Sequence, residues 1–389
     1  MLSLSYGNIV RKDMSSNDGL LPESFETYQI VRPSDVVFRL TDLQNDKRSL
    51  RSALVGEQGI ITSAYLAVTP VFHDSRYFAF LMRAYDAQKV FYSMGGGLRQ
   101  SMKFDDMKHL PVMAPTLDEQ RQIAGYLDTH TAKIDTLIGK QEQLIETLAE
   151  RRQAVISHAV TKGLDPNVSM KDSGVEWLSA IPDTWTVPRV AHHFSIVLGK
   201  MVNAGKVNEP GLFDAPYLRA GNVQPYGVDT TEAKTMPMSA AELTQLSLRI
   251  GDLVVVEGGQ GGYGRSALVL ADLSGWGYQN HVMRVRPKSY ESNAFLDYVI
   301  KALRAAGYIA SLSSHASLPS FSAEKLAAIR YGRPPVSEQG AIVEYLDHET
   351  TKIDVLAAKA REMIDVLKER RQALISAAVT GKIDVRGLV

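Results

Sequence analysis

The sequence predicts an α+β protein. Two mixed α/β modules stand in tandem, each followed by a long helix, and the two helices pair as an antiparallel coiled coil. Three observations carry this. Pro115–Asp165 (PTLDEQRQIAGYLDTHTAKIDTLIGKQEQLIETLAERRQAVISHAVTKGLD) recurs without a gap as Pro334–Asp384 (PPVSEQGAIVEYLDHETTKIDVLAAKAREMIDVLKERRQALISAAVTGKID). Roughly half the positions are identical, which marks a tandem repeat rather than chance. Within each copy apolar residues recur at a 3-4 spacing, the pattern of a coiled-coil seam. The stretches before the copies hold short β-branched runs broken by glycine, as strands and turns do.

Taken in order, residues 29–40 and 51–69 read as strands and Arg76–Tyr92 as a helix. The first long helix follows, with Asp118 as a good N-cap, Pro115 just outside it and Gly163 as its stop. In the second half, residues 249–272 (RIGDLVVVEGGQGGYGRSALVLAD) form a hairpin, His281–Pro287 alternates like an exposed strand and Asn293–Ser311 is helical. The second long helix has Ser337 as N-cap, Pro335 outside and Gly381 as stop. The repeat continues faintly outside the helices. Arg51–Val55 recurs as Arg265–Val269, Gly7-Asn8 as Gly221-Asn222, and Asp35-Val36-Val37 as Asp252-Leu253-Val254. Met1 aligns near Ala215, so residues 172–214, with Trp177, Ile181-Pro182 and Trp185, have no counterpart in the first copy. The expected organisation is a first module over 1–117, N-terminally incomplete, and a first repeated helix over 118–165. A second module over 166–333 and a second repeated helix over 334–389 complete it.

The seam is placed on Ile134, Leu137, Leu144, Leu148 and Val155 in the first helix, and on Ile353, Leu356, Met363, Leu367 and Leu374 in the second. These stripes bury each other or dock a partner; a surface helix lying on its own module is the plainer alternative. The threonines around 129–131 and 349–351 leave a break open. The repeated Arg151-Arg152 and Arg370-Arg371 read as seam-edge ion-pair donors, with a DNA-facing role as the alternative.

Composition excludes more than it proposes. The 389 residues hold 43 basic and 43 acidic side chains and no cysteine, which removes disulfides, thiolate metal sites and cysteine nucleophiles. No apolar run approaches a membrane span and no signal pattern opens the chain, so a soluble cytoplasmic protein is expected. The string Gly258–Gly264 lacks the Gly-Lys-Ser/Thr ending of a phosphate loop, His348-Glu349 lacks the second histidine of a zinc helix, and no Gly-x-Ser-x-Gly occurs. No catalytic residue, metal or cofactor is therefore assigned to this chain.

What the modules do carry is basic and amide side chains in loop-like segments. In the first they are Asn8, Arg11, Lys12, Lys47, Arg48, Arg99, Gln100 and Lys103. In the second they are Lys200, Lys206, Arg219, Asn222, Gln224, Arg265, Gln279, Asn280 and His281. Arginine and lysine suit phosphates and guanine, asparagine and glutamine suit adenine. These are the candidate DNA-binding residues; a coiled-coil scaffold that never touches nucleic acid is the competing reading.

The EQ…YLD…T-x-K-I-D…ERRQA-x-I-S…AVT helices resemble the repeated helical regions of the specificity subunits of Type I restriction-modification systems. So do the segments DSGVEW…IPDTW (Asp172–Trp185) and LSLSYGNIVRKD (Leu2–Asp13). The resemblance covers essentially the whole chain. It implies two target-recognition domains, each reading one half of a split double-stranded DNA target and itself non-catalytic. It further implies that the helices dock two modification subunits, which hold S-adenosylmethionine and methylate adenine, and that nuclease/translocase subunits join them.

Overall fold

A computed structural model describes residues 1–12, 24–43, 50–94, 101–201, 210–258, 262–312 and 319–387. The chain packs as two units. The first takes Met1–Leu144 with Lys359–Val389, and the second takes Ile145–Ala358. Each unit thus joins one module to half of each long helix.

In the first unit a hairpin of β1 (Leu2–Ser5) and β2 (Asn8–Arg11) precedes β3 (Gln29–Val31), β4 (Val36–Phe38), β5 (Ser52–Leu54), β6 (Gly59–Ile61) and β7 (Leu66–Val68). Strand β4 lies between β5 and β7, and β3 pairs with β6, all antiparallel. Helices α1 (Ser75–Ala87) and α2 (Phe104–Met107) follow, then the first long helix, α3 (Leu117–Lys162). Strand β4 is buried throughout and serves two cores. Val36 and Phe38 face Tyr77, Phe78, Leu81 and Met82 of α1 together with Leu127. Val37 faces Leu2, Leu4, Val31 and Ile61.

The second unit opens with β8 (Met170–Asp172), β9 (Ala180–Pro182), α4 (Val190–His193), β10 (Phe194–Leu198) and β11 (Leu212–Leu218). Next come β12 (Val223–Gln224), β13 (Gly227–Val228), β14 (Lys234–Ser239), α5 (Ala240–Leu246), β15 (Leu253–Val256) and β16 (Ser266–Leu268). The unit ends with β17 (Gly277–Tyr278), β18 (Val282–Pro287), α6 (Asn293–Ala305), α7 (Tyr308–Ser311), α8 (Ala323–Ala328) and the second long helix, α9 (Val336–Val379). Its main sheet runs β10-β18-β15-β16. Alternation along β15 divides two cores. Leu253 and Val255 meet Met283, Val285, Phe295 and Leu296, while Val254 and Val256 meet Leu218, Met236, Met238 and Val282. Strand β18 is therefore central and largely buried, not exposed. Its Arg284 misled the pattern: the side chain is buried and donates to the carbonyls of Gln245 and Ser247 at 2.9 and 2.8 Å. The helix expected over Asn293–Ser311 divides into α6 and α7 at Gly307, whose φ is 74°.

The repeat extends to the turn geometry. Val36, Val37 and Phe38 pair with Leu54, Ala53 and Ser52; Leu253, Val254 and Val255 pair with Leu268, Ala267 and Ser266. The carboxylates of Asp35 and Asp252 each accept the amide of the residue three before, Arg32 or Arg249, at 2.8 Å. The intervening positions are left-handed, with φ of 80° at Ser34 and 87° at Gly251, so glycine suits the turn and serine bears a modest strain there.

The long helices are antiparallel: the first half of α3 packs beside the last half of α9 in one unit, and the second half of α3 beside the first half of α9 in the other. No break occurs at the threonines. The hydroxyls of Thr131 and Thr350 are buried and donate to the carbonyls of Leu127 and Leu346, each at 2.7 Å, so neither leaves a polar group unpaired in the seam. Helix α3 starts earlier than Asp118, because Thr116 and Glu119 form a reciprocal cap (Thr116 N–H to Glu119 at 3.0 Å); α9 likewise starts before Ser337. Gly163 and Gly381 end the helices with φ of 74° and 71°.

Four of the ten expected seam positions stand one residue out of phase. Ile134, Leu148, Ile353 and Leu367 are buried, and Val155 and Leu374 are half-buried. Leu137, Leu144, Leu356 and Met363 are instead 46, 43, 50 and 49% exposed. The buried row runs through Ala124, Leu127, Thr131, Ile134 and Leu148 in α3, and Leu346, Thr350, Ile353, Ala357, Ala360, Ile364 and Leu367 in α9. The spacing 127-131-134 satisfies a heptad as well as 127-130-134 does. Polar Thr131 and small Ala357 disguised the true column beside more obvious leucines.

Candidate nucleic-acid interface

Two arginines of the repeated ERRQA motif make matching ion pairs at the helix seam. Arg371 Nε lies 2.9 Å from Asp135 in the first unit, and Arg152 Nε lies 3.3 Å from Asp354 in the second. Their partners are the aspartates of the repeated K-I-D. The preceding Arg151 and Arg370 are exposed.

The EQ motif has a role that sequence reading missed. Gln120 accepts the amide of Asp74, the N-cap of α1, at 2.9 Å and donates to the carbonyl of Pro115 at 2.9 Å. Gln339 accepts the amide of Ser292, the N-cap of α6, at 3.0 Å and donates to Pro334 at 3.1 Å. Each buried glutamine thus ties a long helix to its module helix. Gln339 also donates to Glu291 at 2.8 Å, and Arg333 Nε donates to the same carboxylate at 2.9 Å. Burial works to raise the Glu291 pKa, but these donors outweigh it and hold the carboxyl below its ordinary range.

Backbone pairing in the second unit gathers several candidates onto one rim. Lys200 N–H donates to the Tyr278 carbonyl and the Lys200 carbonyl accepts from Asn280 N–H, each at 2.9 Å, and Glu257 N–H donates to the His281 carbonyl at 2.9 Å. Gly258 bridges Ser320 and Phe321 N–H donates to Glu257 at 2.7 Å, drawing a fourth segment to the same edge. Gly199 permits the approach: a Cβ there would stand 2.3 Å from the Tyr278 and Gln279 carbonyl oxygens. Lys200, Gln279, Asn280 and His281 therefore share the rim. The Lys200 ammonium is engaged by Glu242 at 2.8 Å and the Pro237 carbonyl at 2.9 Å.

Other candidates are structural in this geometry. Asn222 is buried, accepting the Arg219 amide at 2.9 Å and donating to Asp229 at 2.8 Å. Arg219 donates to Glu232 at 3.2 Å, Gln224 to Gly221 at 2.7 Å and Arg265 to Ala220 at 2.8 Å, all to carbonyls within the module. In the first unit Asn8, Arg11, Lys12 and Lys103 are exposed. Arg11 Nε donates to Glu57 at 2.7 Å, and that hydrogen bond followed by its charge raises the arginine's pKa. The Lys103 amide caps α2 through Asp106 at 2.8 Å. Lys47, Arg48, Arg99, Gln100 and Lys206 lie outside the described residues.

Each unit also carries a cationic pocket between hairpin, module helix and long helix. In the second, about 530 Å³ is lined by Arg152, Arg265, Lys301, Arg304 and Tyr263 among others. In the first, about 200 Å³ is lined by Arg76, Arg83, Asp128 and Arg371 with Gly7 and Asn8. Burial, then the neighbouring Arg371, lowers the Arg83 pKa to about 10, so the guanidinium stays charged near neutral pH. Two aromatics stand out on the surface at matching places. Phe72 and Tyr290, each two residues before the N-cap of its module helix, are 87 and 89% exposed.

Comparison with known proteins agrees with this architecture. A family profile described as the Type I restriction modification DNA specificity domain matches residues 60–147. A putative type I restriction enzyme MjaX specificity subunit of Methanocaldococcus jannaschii is 26% identical over 320 residues, 80% of this chain and 68% of that protein. The EcoKI specificity subunit of Escherichia coli K12 is 26% identical over 207 residues, 52% of this chain but only 44% of its own length. Among solved structures, a chain from work on assembly and conformational transition of the type I R-M system shares the fold with a TM-score of 0.71 at 17% identity, covering 93% of this chain and 85% of its own. The HsdS subunit from Thermoanaerobacter tengcongensis gives 0.50 at 16% identity, covering 93 and 84%. The fold is a duplicated-module architecture, and part of the first half matches a DNA-specificity profile. Within that class the chain is similar to the specificity subunits of Type I restriction-modification systems. Among the described residues no helix is long and apolar enough to cross a membrane.

Proposed function

We propose that this chain reads a bipartite double-stranded DNA target, one half-site per module, and positions two modification subunits on it. The observation that carries the reading is the duplication of a complete mechanical unit. Hairpin, module helix, glutamine tie and Arg–Asp pair recur at matching positions in both halves. Two equivalent surfaces suit two copies of one partner and two half-sites on a duplex. Gln279, Asn280 and His281 on their rim supply the groove-facing side chains of the second module, and the two cationic pockets supply phosphate contacts. Phe72 and Tyr290 anchor the modification subunits, since exposed aromatics are favoured at the centres of interfaces.

In this reading the chain is non-catalytic. S-adenosylmethionine and the methyl transfer to adenine belong to the modification subunits, whose active site receives a flipped base, and nuclease/translocase subunits complete the complex. The test is co-expression with cognate modification subunits and mapping of methylated adenines in the host genome. A split motif with an unread spacer is expected; a contiguous motif would overturn the two-reader assignment. A gel-shift titration separates the scaffold reading, because DNA affinity must fall steeply with salt.

A further inference from the structure

Each module presents a two-residue hairpin turn tipped by an exposed tyrosine. Strands β1 and β2 pair with Ser5 opposite Asn8, so their loop is Tyr6-Gly7. Strands β12 and β13 pair with Gln224 opposite Gly227, so theirs is Pro225-Tyr226. The two hairpins correspond by place in the fold rather than by aligned sequence. Strand β2 lies against β5, and β12 and β13 lie against β16, the strand that repeats β5. Tyr6 is 71% exposed and Tyr226 79%. Tyr6 also sits in the left-handed region with φ of 45°, followed by Gly7 at 78°. A two-residue turn with both φ positive is best served by Asn-Gly, so a tyrosine is held there against local preference.

Cations gather at the foot of each tip. Gly7 and Asn8 line the pocket of Arg76, Arg83 and Arg371, and Pro225 lines that of Arg152, Lys301 and Arg304. The placement is itself repeated. Arg371 and Arg152 are the second arginines of ERRQA, and Arg83 and Lys301 are each the ninth residue of their module helix. Arg83 donates to the carbonyls of Gly7 and Ser52 at 2.6 and 2.9 Å, and a Cβ on Gly7 would collide with the guanidinium. Both acceptors are carbonyls, so they orient the charge without neutralising it. Lys301 pairs with Asp297 at 2.7 Å and Arg152 with Asp354, yet no acidic side chain is among the described residues lining the second pocket. An aromatic standing above a cluster of cations suits a base edge flanked by backbone phosphates.

We propose that these two tips enter the major groove of the duplex, Tyr6 in one half-site and Tyr226 in the other, with the pocket cations holding the flanking phosphates. A two-stranded ribbon fits that groove, which is roughly 12 Å wide. The ring packs on base edges and makes each tyrosine a residue that sets discrimination in its own half-site. The inference rests on the two-reader function proposed above and adds residues through which each module touches bases.

The experiment uses the full chain assembled with its modification subunits and a fluorescein-labelled duplex carrying the methylated motif mapped for that complex. Anisotropy is read across a potassium chloride series. Tyr6→Ala and Tyr226→Ala should each weaken binding by roughly tenfold or more, the scale of one specific base contact. Scrambling one half-site should abolish the Tyr6 penalty only, and scrambling the other the Tyr226 penalty only. The salt slope should hold in both, since tyrosine is uncharged, whereas Arg304→Gln should lower it by about 0.9, the share of one phosphate. Tyr6→Asn supplies the favoured Asn-Gly turn. It should lose as much affinity as Tyr6→Ala at an unfolding midpoint no lower than the wild type's, which separates contact from folding. Undiminished affinity in both alanine variants, or an unaltered slope in Arg304→Gln, would overturn the proposal. So would lost methylation at full DNA affinity, which assigns the tips to the modification subunits. A wild-type complex with no preference for the motif duplex would instead sink the two-reader function on which the proposal rests.

Discussion

Ile134 and Leu137 lie one helical turn apart and differ in exposure, 7 against 46%. That contrast sets the phase of the seam and makes opposite forecasts for two similar substitutions. Ile134→Ala removes buried methylenes from a packed row and should cost about 2–5 kcal/mol. Leu137→Ala and Leu356→Ala remove surface contacts and should stay within about 0.5 kcal/mol. Urea unfolding followed by circular dichroism distinguishes them; equal losses at Ile134 and Leu137 would show that the phase is misassigned. The Arg371–Asp135 and Arg152–Asp354 pairs hold a carboxylate that is 51 or 61% exposed, so solvent screens them. Each should contribute roughly 0.2–1 kcal/mol in a double-mutant cycle. Their value is in fixing alignment along the seam more than in stability.

At the scale of elements, the glutamines count for more than the arginines. Gln120 and Gln339 are 2 and 1% exposed, and each satisfies a helix N-cap amide. Replacing either with alanine leaves buried donors and acceptors unpaired, which costs about 1–3 kcal/mol per group. Gln339→Ala should cost more than Gln120→Ala, because it also strips a donor from Glu291. Acid makes the same point. The Glu291 pKa is lowered in the folded state, so its stabilisation is full above the unfolded value of roughly 4.3. It is lost as pH falls through the folded value. Unfolding midpoints of the second unit should drop through that acid range, and Glu291→Gln should flatten the drop; an unchanged acid limb would dismiss Glu291 as its source. Sequence reading found the long helices, their pairing and the duplicated hairpins, because these follow from periodicity and from repetition. It missed the glutamine ties, since a tie to a distant N-cap leaves no periodic trace. Nor could it tell that Asn222 and Arg265 also hold carbonyls within their module, because the same amides and guanidiniums that suit bases can equally close a turn on a nearby carbonyl.

At the scale of the whole molecule, each module has a core independent of the other. The buried residues of the first unit's module come from positions up to Leu127 and from Ile375 to Val385, so none lies between 172 and 333. Exchanging residues 172–333 for the corresponding module of a related subunit therefore leaves that core whole. Three junctions need matching partners in the donor: a tryptophan for Glu338, a helix N-cap amide for Gln339, and a hydroxyl for Asp347. Given these, the chimera should fold and assemble with the same modification subunits. The methylated motif should then change in one half-site and keep the other, with its spacer unaltered because both long helices are retained. Single-molecule sequencing of methylated adenines in a host carrying the chimera reads this directly. If both halves changed, or neither did, recognition would not be divided between the modules, and the duplicated architecture would have to serve partner binding alone.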